Sequence, residues 1–133
     1  MPGWEGVMGL QFENIVSCNR KEIWKSLGLR PQDILFENPY FQSQTTKQAG
    51  CQIDYMIQTR FKNLYLCEIK FSHHPILRTI ISEVNQKIKA LNPPKGFAVL
   101  PVLIHINGVT KTVHDENYFA NIIDFSDFLH KKI

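Results

Sequence analysis

Apolar residues recur along this chain in two rhythms. Over residues 10–27, Phe12, Val16, Ile23, Trp24 and Leu27, with Ile15 beside them, follow the helical period. Gly28 is placed to cap that helix and Pro31 to stop its continuation. A second helical stripe runs from Pro75 to Leu91 through Ile76, Ile80, Val84, Ile88 and Leu91, widened by Leu77 and Ile81. Pro75 suits its first turn, and Asn92–Gly96 ends it. The stretches between are extended in character. Asp33–Gln42 reads as a strand interrupted by Pro39. Gln52–Gln58 and Leu64–Phe71 read as a hairpin around the polar turn Thr59–Asn63. Phe97–Ile106 is almost continuously apolar, as expected of a strand buried on both faces, with Pro101 marking a bulge or its starting edge. After the turn at Asn107-Gly108, Phe119–Phe125 reads as a last strand, and Ser126 as the cap of a short helix, Asp127–Lys132. Residues 1–9 read as an irregular lead-in, and Ser43–Gly50 as a mobile polar loop.

The expected order is helix, strand, hairpin, helix, buried strand, strand, short helix. That is a mixed α/β domain, a central sheet with helices on its faces. The 133 residues suit one domain spanning 1–133. Hydrophobic residues at 44% and charged ones at 20% exclude a disordered chain. The net charge of +3 permits nucleic-acid binding without arguing strongly for it. Cys18, Cys51 and Cys67 are an odd number without framework spacing, as in reduced thiols. No apolar run nears the roughly 18 residues that span a membrane, and the first residues lack signal-peptide character. A cytoplasmic protein is expected.

Three ionisable residues interrupt the apolar hairpin strands: Asp54, Glu68 and Lys70. Alternation puts Glu68 and Lys70 on one face. A hairpin centred on Phe61 puts Asp54 directly opposite Glu68, on that same face. A slip of one residue would separate them. Paired carboxylates repel when ionised, and a hard divalent cation relieves the repulsion through oxygen ligands. A lysine beside that cation can orient water or stabilise charge building on a phosphate. The plain alternative is a solvated hairpin face with a simple Lys–Glu pair. Glu13 lies at the edge of the first helical stripe, where an exposed first-turn glutamate is the ordinary reading. His73 and His74 are adjacent on extended chain and point apart, so joint zinc chelation with Cys67 is not expected. Arg78, Lys87 and Lys89, on or near the second helix, are read as a solvated surface able to track phosphates.

Asp54, a 13-residue gap, then Glu68-Ile69-Lys70 resembles the PD-(D/E)XK nuclease superfamily. The match extends to the nuclease-like C-terminal domain of prokaryotic AAA+ ATPases. Its motifs correspond here to Gly9–Glu13, Leu27-Gly28, Ile53-Asp54, Cys67–Ser72, Val102–Gly108 and Asp124–Leu129. Each motif is short; their order and spacing across nearly the whole chain carry the likeness. Gln52 stands where that branch often has an acid, and His105 where it often has threonine. No phosphate loop is present, because no glycine is followed by lysine. ATP hydrolysis is therefore not carried over, and the chain is expected to be a free-standing or split version of such a protein.

The resemblance implies a restriction-endonuclease-like fold with an αβββαβ core. It implies magnesium or manganese held by Asp54, Glu68, the Ile69 carbonyl and Glu13. It makes Glu13, Asp54, Glu68 and Lys70 the catalytic set for DNA hydrolysis. The partners implied are DNA, a separately encoded AAA+ ATPase and a second copy in a homodimer. The competing reading is a non-catalytic module that keeps the fold and binds DNA or a partner. A third is a remnant that acts only by docking to an ATPase.

Overall fold

The computed structural model describes residues 18–127. The expected Glu13 position and the closing helix beyond residue 127 lie outside these residues. The elements are α1 (18–26), a 3₁₀ turn Pro31–Asp33, β1 Ile34–Gln42, β2 Cys51–Thr59, β3 Asn63–Lys70, α2 Thr79–Ala90, β4 Ala98–His105, α3 Lys111–Asp115 and β5 Asn121–Asp124. The strands form one five-stranded sheet in the order β1-β2-β3-β4-β5. The β1–β2 and β2–β3 pairs are antiparallel, while β3–β4 and β4–β5 are parallel. A five-stranded mixed sheet flanked by helices is the α/β architecture that the strand and helix rhythms imply.

Two apolar layers cover the sheet. On one face Ile23 of α1, with Trp24 and Leu27 against it, meets Tyr55, Ile57, Cys67, Ile69, Ile104 and Phe125. On the other, Ile80 and Val84 of α2 pack on Met56, Leu64, Leu66 and Leu103. The alternation along β3 is plain: Cys67 and Ile69 serve the first layer, Leu64 and Leu66 the second. Glu68 and Lys70 continue the α2 side. Cys67 is thus turned away from that side, and His73 and His74 are exposed, so these three residues share no site.

Gly28 closes α1 with φ of +72°, a backbone geometry that glycine adopts without a Cβ clash. The Leu29 N–H reaches back to the Trp24 carbonyl at 2.8 Å, satisfying an end-of-helix acceptor. The hairpin turn is tighter than its polar run suggests. β2 runs on to Thr59 and β3 begins at Asn63, with Lys62 at φ of 64°.

α2 begins at Thr79, later than the stripe from Pro75 implies. Ile76 is extended instead and bridges Val109. Its N–H donates to the Gly108 carbonyl and its carbonyl accepts from the Thr110 N–H, at 3.1 and 3.0 Å. Those bonds compete with the first helical turn and win. The loop after β1 is tied at its ends by Gln42. The Gln42 amide donates to the carbonyls of Ala49 and Ala90, at 2.7 and 2.6 Å. β4 enters its fully buried half at Val102, where the ladder to β5 starts. Pro101 precedes that ladder, and its carbonyl takes the Ala120 N–H at 2.8 Å. β5 is shorter than expected, and α3 between β4 and β5 has no counterpart in the sequence reading.

Asp33 ties the start of β1 to the hairpin turn. Its carboxylate accepts from Arg30 and from the Arg60 Nε, the latter at 3.2 Å. The Arg30 hydrogen bond leads in holding its pKa below the usual value, outweighing burial. A depressed carboxylate contributes stability above its unfolded pKa and loses it as pH falls through the folded one. Asp33→Asn is therefore expected to melt below wild type at neutral pH. The gap should close under acid conditions below about pH 4; thermal melts of both proteins across that range check it.

Candidate metal-binding and nucleic-acid site

The site forms where β2 and β3 part. Their pairing runs from Gln58–Leu64 to Tyr55–Cys67, the register of a hairpin centred on Phe61. Continued by one pair, it sets Asp54 against Glu68, but the ladder has already ended. Asp54 fills the break with its side chain: Oδ2 accepts the Ile69 N–H at 2.9 Å. β3 stays paired to β4 as far as Lys70–His105. The β3 end is thereby held rigid on one side and open to Asp54 on the other.

Glu68 is 2% exposed, an unusual depth for a carboxylate. Burial, then the negative charge of Asp54, pushes its pKa above the ordinary value, while Lys87 and Lys70 pull it back. Lys87 Nζ donates to both Glu68 oxygens, at 2.8 Å and 3.2 Å. Lys70 Nζ stands farther off, 3.6 Å from Glu68 Oε1 and 3.7 Å from Glu83 Oε2. A cavity of about 380 Å³ opens beside this group, bounded by Gly50, Gln52, Glu68, Lys70, Gln86 and Lys87. A second, more apolar cavity of about 430 Å³ adjoins it and shares Lys70 and Glu83.

The structure thus brings Asp54, Glu68, Ile69 and Lys70 together. Glu13 lies outside the described residues. Lys87, read as a solvated surface lysine, belongs in this group instead. Its signal lay in α2: Ile80, Val84, Lys87 and Leu91 repeat at spacings of four, three and four, so Lys87 lies on the inward face. The donor chemistry suits a hard cation. Asp54 and Glu68 offer carboxylate oxygens, the donor type such a cation takes, and Asp54 engages one oxygen with the Ile69 amide. Among the described residues no group of three or more His, Cys, Asp or Glu is gathered as for a metal ion. The third acid of the implied set is Glu13.

No protein-family model matches the chain, and no curated protein matches it. The crystal structure of a repair endonuclease from Pyrococcus abyssi is similar over 79% of this chain, at 12% identity and a TM-score of 0.47. The chain spans 44% of that endonuclease's length. No helix among the described residues is long and apolar enough to cross a membrane.

Proposed function

We propose that the chain hydrolyses DNA phosphodiester bonds with a divalent cation held by Asp54 and Glu68. The observation that carries this reading is the buried Glu68 carboxylate at the edge of an open cavity, with Lys87 and Lys70 beside it and Asp54 bonded to the next residue's N–H. Magnesium or manganese bound there would supply a water of lowered pKa and polarise a phosphate oxygen. Asp54 keeps its orientation through the Ile69 N–H, and the Ile69 carbonyl is the proposed main-chain ligand. Lys70 faces the cavity from the end of β3 and is proposed to steady negative charge on the phosphate as the bond breaks. Glu13 is proposed to complete the set. DNA as substrate, a partner ATPase and a homodimer rest on the sequence resemblance.

The test is cleavage of linear, nicked, branched and single-stranded DNA by the purified protein in magnesium or manganese. Cutting by wild type, and none by Asp54→Ala at unchanged fold, is the expected result. Manganese binding without cutting of any substrate would contradict it. One observation favours a non-catalytic binding module as the second reading: Lys87 donates to both Glu68 oxygens, an ion pair that satisfies the buried carboxylate without a metal.

DNA binding itself is expected to be weak and salt-sensitive. Each neutralised phosphate contributes roughly −0.9 to the slope of log K against log salt. Fluorescence anisotropy over a salt series checks this, and a flat profile would contradict phosphate contact.

A further inference from the structure

Lys87 and a divalent cation compete for the Glu68 carboxylate. Lys87 Nζ already lies 2.8 and 3.2 Å from the two carboxylate oxygens. A magnesium ion bonds its oxygen ligands at about 2.0–2.1 Å. Bound to either oxygen, it would stand within a few ångströms of the ammonium, and like charges at that range repel strongly in a buried site. Lys70 is not the competing group: it sits farther out, is 43% exposed and is shared with Glu83.

We propose that Lys87 is a displaceable guard of Glu68: it holds the carboxylate until a divalent cation arrives, then swings into the adjoining cavity and takes a phosphate oxygen of the nucleic-acid strand. This deepens the proposed nuclease site and rests on that reading. The side chain suits the exchange. Its stem rises from helix α2, and the side chain is 26% exposed at the cavity wall. The four-carbon stem is flexible. Gly50, Gln52 and Gln86 on the cavity wall carry no charge, and Glu83, four residues before Lys87 on α2 and 3.7 Å from Lys70, is the one other acid there. An incoming phosphate supplies a further anion. In the metal-free protein the same lysine offsets the repulsion between Glu68 and Asp54, so the site can fold before it is loaded.

The test uses the wild-type protein. Manganese is titrated while free manganese is read by electron paramagnetic resonance. At each point lysines are acetylated briefly with acetic anhydride and quantified by mass spectrometry. Lys87 acetylation is expected to rise several-fold in step with manganese occupancy, while the exposed Lys89 and Lys95 stay constant. Manganese binding with unchanged Lys87 acetylation overturns the guard role and leaves the metal site standing. Absence of manganese binding overturns the metal site, and the guard role with it. Variants give a second readout. Lys87→Met is expected to bind manganese at least about tenfold more tightly, and Lys87→Arg, which keeps a cation on Glu68, no more tightly than wild type. Equal affinity in wild type and Lys87→Met overturns competition. In saturating calcium, Lys87→Met is expected to bind duplex DNA more weakly, with a salt slope smaller by about one. Unchanged DNA binding overturns the phosphate contact.

Discussion

Lys70→Ala is expected to cut DNA about 10²–10³-fold more slowly than wild type while binding manganese with similar affinity. Lys70 stands 3.6 Å from Glu68 and is nearly half exposed, so its pair with that carboxylate contributes little to folding. Its charge points at the cavity, where a phosphate would gain negative character only as the bond breaks. A group that acts there lowers the barrier without strengthening the resting complex. The loss should therefore appear in kcat, with KM little changed. A fall in thermal stability as large as the fall in rate, or a loss confined to KM, would make Lys70 a structural or binding residue instead. Steady-state kinetics on a short labelled duplex, with melting curves for both proteins, separate these outcomes.

Lys87→Met is expected to destabilise the metal-free protein by about 2 kcal/mol. Removing one partner of a buried pair costs more than the pair contributes, because the other charge is left behind. Glu68 is almost fully buried, and the change strips the two shortest contacts from its oxygens. The cost falls below that of a fully buried pair because Lys70 remains nearby and Lys87 is partly solvated. Adding Glu68→Gln to Lys87→Met should recover part of the loss, since no charge is then stranded. Manganese should recover it too, by standing in for the ammonium. Urea unfolding of the single and double mutants, with and without manganese, measures both effects. A loss near zero that manganese does not alter would mean that Glu68 is not ionised against Lys87.

Much of this arrangement was legible in the chain. The hairpin register follows from strand composition around a turn centred on Phe61, and the observed pairing of Tyr55 with Cys67 has that register. Alternation alone then separates Cys67 and Ile69 from Glu68 and Lys70. The break in the ladder at Asp54 was not legible, because strand propensity says nothing of where two strands diverge. The helical stripe overruns the start of α2 for a related reason. Ile76 fits the helical stripe, yet its backbone bonds go to Gly108 and Thr110, more than thirty residues on. Local periodicity cannot weigh such distant partners. The charge of Lys87 suggests a solvated surface, whereas its position on the inward face of α2 places it against Glu68. A lysine in a buried helical stripe calls for a buried acid opposite, and Glu68 was the available one. α3 is a five-residue helix, too short to produce a periodic signal.

The central claim is that Asp54 and Glu68 share a divalent cation. The most direct measurement is the anomalous difference map of a crystal soaked in manganese. The expected result is a peak within bonding distance of Asp54 and Glu68 oxygens, with the Lys87 ammonium withdrawn from the carboxylate. A map without a peak there at full soak, with Lys87 still donating to both Glu68 oxygens, would contradict the claim and leave the three residues a structural ion cluster.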